Sequence, residues 1–198
     1  MSTVEPPVQV KTPLPGWARF LVVLFGLTFT ALVIGIITIA SVFAIWQKDA
    51  RDPEKIAPIA AAEFHIPQLP SKDFHYLIGY SFEPLSLIQI SYKNDQTLFA
   101  LMRMTNVHKL TDANLAEVAE DDPMQPGMNL DNAKPGEDVV GGHKMAYVLG
   151  DLAPGGKIKQ LRGAFLAENN KYVMRFAATT YSPTFNMDAT KQLLQCIK

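Results

Sequence analysis

The sequence predicts an α+β domain attached to a single N-terminal transmembrane helix, with a mostly antiparallel sheet of about six strands and two packing helices. Three observations lead to this fold class. An uncharged apolar run occupies residues 20–47, short alternating apolar segments follow from residue 74, and two amphipathic stripes interrupt and close those segments. The 198 residues therefore divide into a disordered tail (1–16), a transmembrane helix (17–47), a proline-rich stalk (48–72) and a globular domain (73–198).

The transmembrane helix is predicted from length and from its flanking residues. Its 28 consecutive uncharged positions would extend roughly 42 Å at about 1.5 Å per residue, which exceeds the ~30 Å core of a bilayer. Trp17 and Trp46 lie at the two ends, next to Arg19 and Lys48, so these four side chains are predicted at the membrane interfaces. A cleaved signal peptide is disfavoured because its apolar core spans only about 7–15 residues.

Small residues in this helix are spaced for the close approach of a second helix. Gly26 and Thr30 lie four positions apart, as do Ala31 and Gly35. The spacing suggests that the protein contacts another protein through its transmembrane helix. The alternative is that these small residues simply reflect the usual composition of such helices.

The orientation of the helix depends on its flanking charges. Basic residues are balanced between the two flanks, whereas Asp49, Asp52 and Glu54 follow the helix. This difference favours a cytoplasmic tail. We therefore expect a single-pass membrane protein whose C-terminal domain is extracytoplasmic, in the periplasm.

The stalk and the first strands are predicted from prolines and from alternation. Four prolines between residues 53 and 70 leave room for a helical turn at most. Five apolar residues then alternate from Phe74 to Phe82 and are expected to share one face of a strand. Strands at 87–92 and 98–105 would complete an antiparallel meander. Thr111 can cap a short helix that ends near Glu120.

The second half predicts a long loop, three strands and a closing helix. Residues 121–138 contain prolines, glycines and no periodic apolar pattern, so we expect a surface loop. Strands are predicted at 139–149, 161–167 and 172–179, the last two joined by a turn around Asn169 and Asn170. Asp188 can cap the last helix. Its apolar face would consist of Ala189, Leu193, Leu194 and Ile197.

The order of these elements, with the segments Gly141–Tyr147, Gly163–Leu166 and Tyr181–Phe185, resembles the PsbP-like α/β/α sandwich superfamily. The resemblance covers residues 74–198. It implies binding rather than chemistry, because proteins of this kind include photosystem extrinsic subunits, bacterial lipoproteins and transport cofactors. A full membrane helix distinguishes the present chain from the secreted and lipoprotein members.

Several functional classes lose support from composition and motifs. Residues 73–198 carry 14 acidic against 12 Lys and Arg side chains, too balanced for a nucleic-acid-binding surface. Cys196 is the single cysteine, which excludes an intrachain disulfide. Gly150–Ile158 lacks the Lys and hydroxyl positions of a phosphate loop, and the four histidines are scattered. We predict no cofactor, and an interaction or assembly domain without catalysis. An enzyme with an unrecognised site stays open as an alternative.

A metal-handling protein is a second alternative. Met102 and Met104 lie two apart on one strand, and His143 and Met145 repeat that spacing. Thioether and imidazole groups suit monovalent copper, although methionine also fills gaps in protein cores.

The acidic side chains around the predicted loop form another candidate site. They could dock a basic partner, or simply form a solvated surface. The residues are Asp121, Asp122, Asp131, Glu137 and Asp138.

Overall fold

A computed structural model describes residues 16–122, 128–152 and 155–197. The chain divides into two compact units, residues 1–46 and 47–198. The predicted disordered tail lies outside the described residues, apart from Gly16 at the start of the first helix.

Helix α1, Gly16–Asp49, dominates the first unit. It is long and apolar enough to cross a membrane, with its most apolar described window at Leu32–Asp49. Large apolar side chains such as Ile39, Val42 and Ile45 are 62–71% exposed in the chain itself. A helix that is apolar without a polar face needs an apolar environment to cover it.

The described residues of the second unit form one sheet and three further α-helices. In chain order its elements are α2 Pro53–Phe64, β1 Phe74–Phe82, β2 Leu85–Tyr92, β3 Thr97–Thr105, a 3₁₀ turn Asp112–Asn114 that continues into α3 Leu115–Glu120, β4 Asp131–Val140, β5 His143–Asp151, β6 Lys159–Ala167, β7 Tyr172–Thr180 and α4 Met187–Leu194.

The described part of the sheet has seven antiparallel strands in the order β1-β2-β3-β7-β6-β5-β4. It consists of two meanders, β1–β3 and β4–β7, joined through the pairing of β3 with β7. The α+β class is therefore confirmed, while the count of about six strands is too low. Strands β1 and β4 are the two edges.

The additional strand is β4, which occupies residues that were predicted as loop and as the start of a longer strand. The turn Gly141-Gly142, with φ of 56° and 84°, splits the predicted 139–149 strand into a hairpin of β4 and β5. Strand β4 is an edge strand with nine of its ten residues at least partly exposed, so no apolar alternation marks it. Pro135 is tolerated there because an edge position needs no second ladder bond.

Helix α2 occupies 12 residues, about half, of the segment 48–72 that was predicted as an irregular stalk. Asp52 caps it by accepting a hydrogen bond from the Glu54 N–H at 3.0 Å. Pro58 lies inside the helix and removes one backbone hydrogen bond. That loss is offset because Ile56 and Phe64, both 0% exposed, pack into the core of the domain.

A bulge in β1 changes the predicted side-chain pattern of that strand. The register with β2 shifts between Tyr76 and Ile78. Phe74 and Tyr76 therefore pack into the main core with α2, whereas Ile78 and the aromatic residues that follow point to the opposite face. The expectation that all five alternating residues share one face is wrong for this reason.

The two faces of the sheet are covered unequally. Helices α2 and α4 pack on the first face, where the larger core cluster lies, and of the helices described in this unit α3 alone packs on the second. The predicted apolar residues of the last helix are all at most 6% exposed. The helical face is confirmed for Ala189, Leu193 and Leu194, whereas Ile197 lies beyond α4, which ends at Leu194. Its cap is Asn186 rather than Asp188, because the Asn186 side chain accepts the Ala189 N–H at 3.1 Å.

The contact between α2 and β1 provides a test of this packing. A Cβ added at Gly79 would lie 2.7 Å from Cγ2 of Ile56, on the buried side of α2. We expect Gly79→Ala to lower the free energy of unfolding by about 1–3 kcal/mol through overpacking. Thermal and urea unfolding of the full chain in detergent, followed by circular dichroism, measure the loss.

The matched control is Ile56→Ala, which removes the opposing side chain at a cost of about 2–5 kcal/mol. The two changes should not add, because the double variant gives the new methyl group room. Simple additivity of the two losses would contradict the close contact between Gly79 and Ile56.

Candidate functional site

The second face of the sheet divides into a covered part and an open part. Over β5–β7 it is covered by α3, whose Leu115 and Ala119 are each 1% exposed. They pack against Ala146, Ala164 and neighbouring apolar residues of these strands. Since α3 has only six residues, it reaches no further across the sheet.

A buried arginine holds the chain at the end of α3. Arg162, 0% exposed, donates through Nη1 to the carbonyl oxygens of Glu120, at 2.7 Å, and Met128. Its Nε donates to Gln160 Oε1 at 2.7 Å, and Gln160 Nε2 donates to the Asp122 carboxylate at 2.9 Å. Asp122 also lies 3.5 Å from Arg162 Nη2. Burial lowers the pKa of the Arg162 guanidinium, and the charge of Asp122 opposes that shift.

A second arginine performs the same task nearer the open part. Arg175 Nη2 donates to the carbonyl oxygens of Val118, at 3.3 Å, and Asp121, at 2.7 Å. Burial also lowers its pKa, against the charges of Asp121 and Asp122. The two guanidinium groups therefore bind the orphan carbonyls at the C-terminus of α3 and fix the position of the helix.

No described helix of this unit packs on the second face over β1, β2 and β3, and we call this area the open part, although Leu87, Ser91 and Ala100 within it are at most 9% exposed. From Ile78 onward, none of the side chains that these three strands direct to this face is Asp, Glu, Lys or Arg. Phe82 and Met104 are the most exposed among them, at 53% and 38%. The residues are Ile78, Tyr80, Phe82, Leu85, Leu87, Gln89, Ser91, Leu98, Ala100, Met102 and Met104.

A cleft of about 360 Å³ lies where this open part meets α3. We call it the α3 cleft. Its apolar lining comes from β3, β7, α3 and the loop between β3 and α3, and its polar lining includes Asn106, His108, Asp121 and Arg175. The apolar residues are Met104, Val107, Leu110, Val118 and Val173.

The loop wall of the α3 cleft is held in place by Asn106. Its side-chain amide donates to the carbonyl oxygens of Leu110, at 3.1 Å, and Asn170, at 2.9 Å, and its oxygen accepts the Leu110 N–H at 2.8 Å. Val107, next to this anchor, is 69% exposed. The cleft is therefore a preformed feature with an apolar side chain held at its entrance.

A smaller cavity of about 180 Å³ lies beyond the buried arginine, on the same face. Gln89, Gln160, Thr179 and Asp122 contribute polar groups to its lining. Gln160 already donates to both Asp122 and Thr179, so these groups are engaged with each other. Of these two cavities, the α3 cleft is therefore the better candidate for a binding site.

The four candidate copper ligands do not converge. Met102 and Met104 lie on the second face of β3, whereas Met145 is buried in the core of the first face on β5. His143 stacks on Phe165 with ring centroids 6.0 Å apart. Strands β3 and β5 are separated by β7 and β6, or roughly 14 Å at about 4.8 Å per strand. Within the described ranges, no cluster of three or more His, Cys, Asp or Glu residues is placed to hold a metal ion.

The predicted acidic docking loop is not a single exposed surface. Asp122 is 3% exposed and engaged with Gln160 and Arg162, so it is unavailable for docking. Asp131, Glu137 and Asp138 belong to β4, where Glu137 pairs with Lys144 at 2.8 Å. Only Asp121 lines the α3 cleft. The prediction is wrong for Asp122 because the sequence does not show that Arg162 and Gln160 face it.

The predicted membrane-interface and helix-pairing residues are described only in part. Trp46 is 42% exposed and stacks on Phe43, with centroids 5.8 Å apart, and Lys48 is exposed. A Cβ built on Gly35 has no atom within 4 Å. The space beside Gly35 is therefore free for the close approach of a second helix. The side chains of Trp17, Arg19, Thr30 and Ala31, and the surroundings of Gly26, lie outside the described residues.

Sequence reasoning placed no site at Asn106–Leu110, which forms one wall of the α3 cleft. The available signal was weak: an exposed valine between asparagine and histidine, directly after a strand. Comparison of the sequence with known protein families and with curated proteins finds no match. The resemblance to the PsbP-like superfamily therefore stays a prediction.

The buried ion pair that positions α3 makes a quantitative prediction. Arg162→Met should lower the free energy of unfolding by about 3–5 kcal/mol, because it leaves Asp122 buried beside an uncharged side chain. Urea unfolding of the full chain in detergent measures the change. Adding Asp122→Asn to Arg162→Met should recover part of the loss. A loss below about 1 kcal/mol for Arg162→Met would show that the buried pair does not hold α3.

Proposed function

We propose that this protein is a membrane-anchored interaction domain without catalysis, extracytoplasmic in location, which binds an apolar segment of a partner protein in the α3 cleft. The observation that carries the proposal is the cleft itself, together with the uncharged sheet face that continues from it. Exposed apolar side chains that cluster, as Met104 and Val107 do at the cleft, often mark a contact with another molecule.

The dimensions of the α3 cleft suit a short protein segment. Its volume of about 360 Å³ lies near the lower end of the roughly 300–1,000 Å³ that is usual for binding pockets. Met104 lies in its floor, and an unbranched thioether adapts its shape to different apolar side chains. The polar groups of His108 and Asp121 at the cleft can bond the backbone of a segment whose side chains enter it.

The membrane part of the proposal is supported by α1 and by the charges that follow it. The helix is long and apolar enough to cross a bilayer. Asp49 is its last residue, and Asp52 and Glu54 follow it. A partner anchored in the same membrane would meet the cleft at a high local concentration. The small residues of α1 offer such a partner a second contact within the bilayer.

Site-specific photo-crosslinking tests the cleft. A photoreactive amino acid at Val107 should give a discrete adduct with one partner in native membranes, because this side chain lines the cleft entrance. Val139 provides a matched control: it is also 69% exposed, but it lies on β4 at the far edge of the sheet. Equal adduct patterns at both positions, or none at either, would refute binding in the cleft.

A charge substitution tests the same contact by affinity. In this test the photoreactive amino acid is placed at a second cleft position, such as Leu110. Val107→Asp should then reduce the yield of the crosslinked partner by about tenfold or more. The reason is that the new carboxylate must lose its hydration in an apolar contact. Val139→Asp should leave recovery unchanged. If both substitutions reduce recovery equally, the effect comes from charge in general and not from the cleft.

The location of the domain is tested by protease access in intact cells. With the outer permeability barrier opened, a protease should degrade the domain while the cytoplasmic tail stays protected, as an epitope tag at the N-terminus would show. Degradation of the tag with a protected domain would reverse the orientation.

A further inference from the structure

The margin of the domain at β1 carries three apolar side chains, of which Phe82 is exposed, next to the point where the chain enters the domain. Ala50, 4% exposed, accepts the Gly79 N–H through its carbonyl oxygen at 2.7 Å. Ala50 therefore lies against the middle of β1. Only four peptide units separate Ala50 from Trp46, the last residue of the first unit, and they can extend at most about 14 Å.

The side chains on either side of Gly79 belong to the open second face. Gly79 itself faces Ile56 of α2 on the first face, so Ile78 and Tyr80 point to the second. Phe82 follows two residues later and is 53% exposed, and its ring stacks with that of Tyr80 at 5.6 Å. We call Ile78, Tyr80 and Phe82 the β1 margin.

We propose that the β1 margin rests in the interfacial layer of the same bilayer that α1 crosses. This inference relies on the anchoring role proposed for α1. The occupant is the lipid surface, because the only structure that the chain must bring close to the β1 margin is the membrane itself. Apolar and aromatic side chains gain from burial at the boundary between headgroups and acyl chains.

The charges near the attachment are balanced and do not decide the occupant. The basic residues Lys48, Arg51 and Lys55 alternate with the acidic residues Asp49, Asp52 and Glu54. The three side chains of the β1 margin are uncharged, so their burial at the lipid surface desolvates no charge. The bulge between Tyr76 and Ile78 is what turns these three residues to the open face.

Fluorescence quenching by lipids tests the proposal on the full chain. Cys196 is replaced by Ser, and a single cysteine is introduced as Phe82→Cys or, in the control, as Val139→Cys. Both are labelled with the fluorophore NBD and reconstituted in vesicles of phosphatidylcholine and phosphatidylglycerol. Position 139 is suitable because β4 is the opposite edge, about 29 Å away at about 4.8 Å per strand.

We expect the label at position 82 to shift to shorter wavelength on reconstitution. Lipids that carry a spin label near the headgroup should quench it several-fold more strongly than the label at position 139. Because both orientations of the protein in the vesicle place the domain next to lipid, the result does not depend on the direction of insertion. Addition of Tyr80→Ser should reduce the quenching at position 82 and leave position 139 unchanged.

Two other results would overturn the proposal. Equally weak quenching at both positions would show that the β1 margin faces water. A blue shift at position 82 without lipid quenching, which disappears when the protein is diluted in lipid, would show that a second copy covers the margin. Vesicle flotation separates these results from failure of the anchor, because a chain that does not float with the vesicles refutes the membrane role of α1 instead.

Discussion

The architecture of the domain follows from the need to cover both faces of one sheet. A seven-stranded antiparallel sheet with apolar residues on both sides needs a layer on each. Helices α2 and α4 cover the first face, and their buried residues form one continuous core with it. The six residues of α3 cover only the β5–β7 part of the second face. The open area over β1–β3, and the cleft at its border, result from this unequal coverage.

Polar groups compensate for the small apolar area of α3. A six-residue helix has almost no intrahelical hydrogen bonding of its own, so it depends on tertiary contacts. Arg162 and Arg175 supply these contacts by binding the carbonyl oxygens that follow and end the helix. This arrangement buries the positive charge of Arg162, and the desolvation cost is offset by the carboxylate of Asp122. The hydrogen bonds from these two arginines therefore fix the position of the α3 side of the cleft.

Much of the fold could be predicted from apolar periodicity, and the failures have identifiable causes. Strand β1 and the hairpin between β6 and β7 are where the pattern placed them, with Asn169 and Asn170 at positive φ. Strand β4 has no alternation because as an edge it buries almost nothing. The stalk prediction weighted Pro58 above the apolar stripe of α2, and tertiary burial decided otherwise. The α3 cleft could not be foreseen, since it depends on contacts between residues distant in sequence, such as those of Arg175 with the carbonyl oxygens of Val118 and Asp121.

The size of the open face limits how tightly it can bind. Of its eleven side chains only Phe82 and Met104 are exposed, far fewer than the roughly 20–30 residues that each partner contributes to a stable interface. A contact of this size is weak between freely diffusing proteins. Confinement of both partners to one membrane raises their effective concentration and makes weak contacts sufficient. If the β1 margin rests on the lipid, the α3 cleft opens only two strands away from it, about 10 Å. A partner segment that is anchored in the same membrane and can reach the α3 cleft must therefore lie close to the membrane surface.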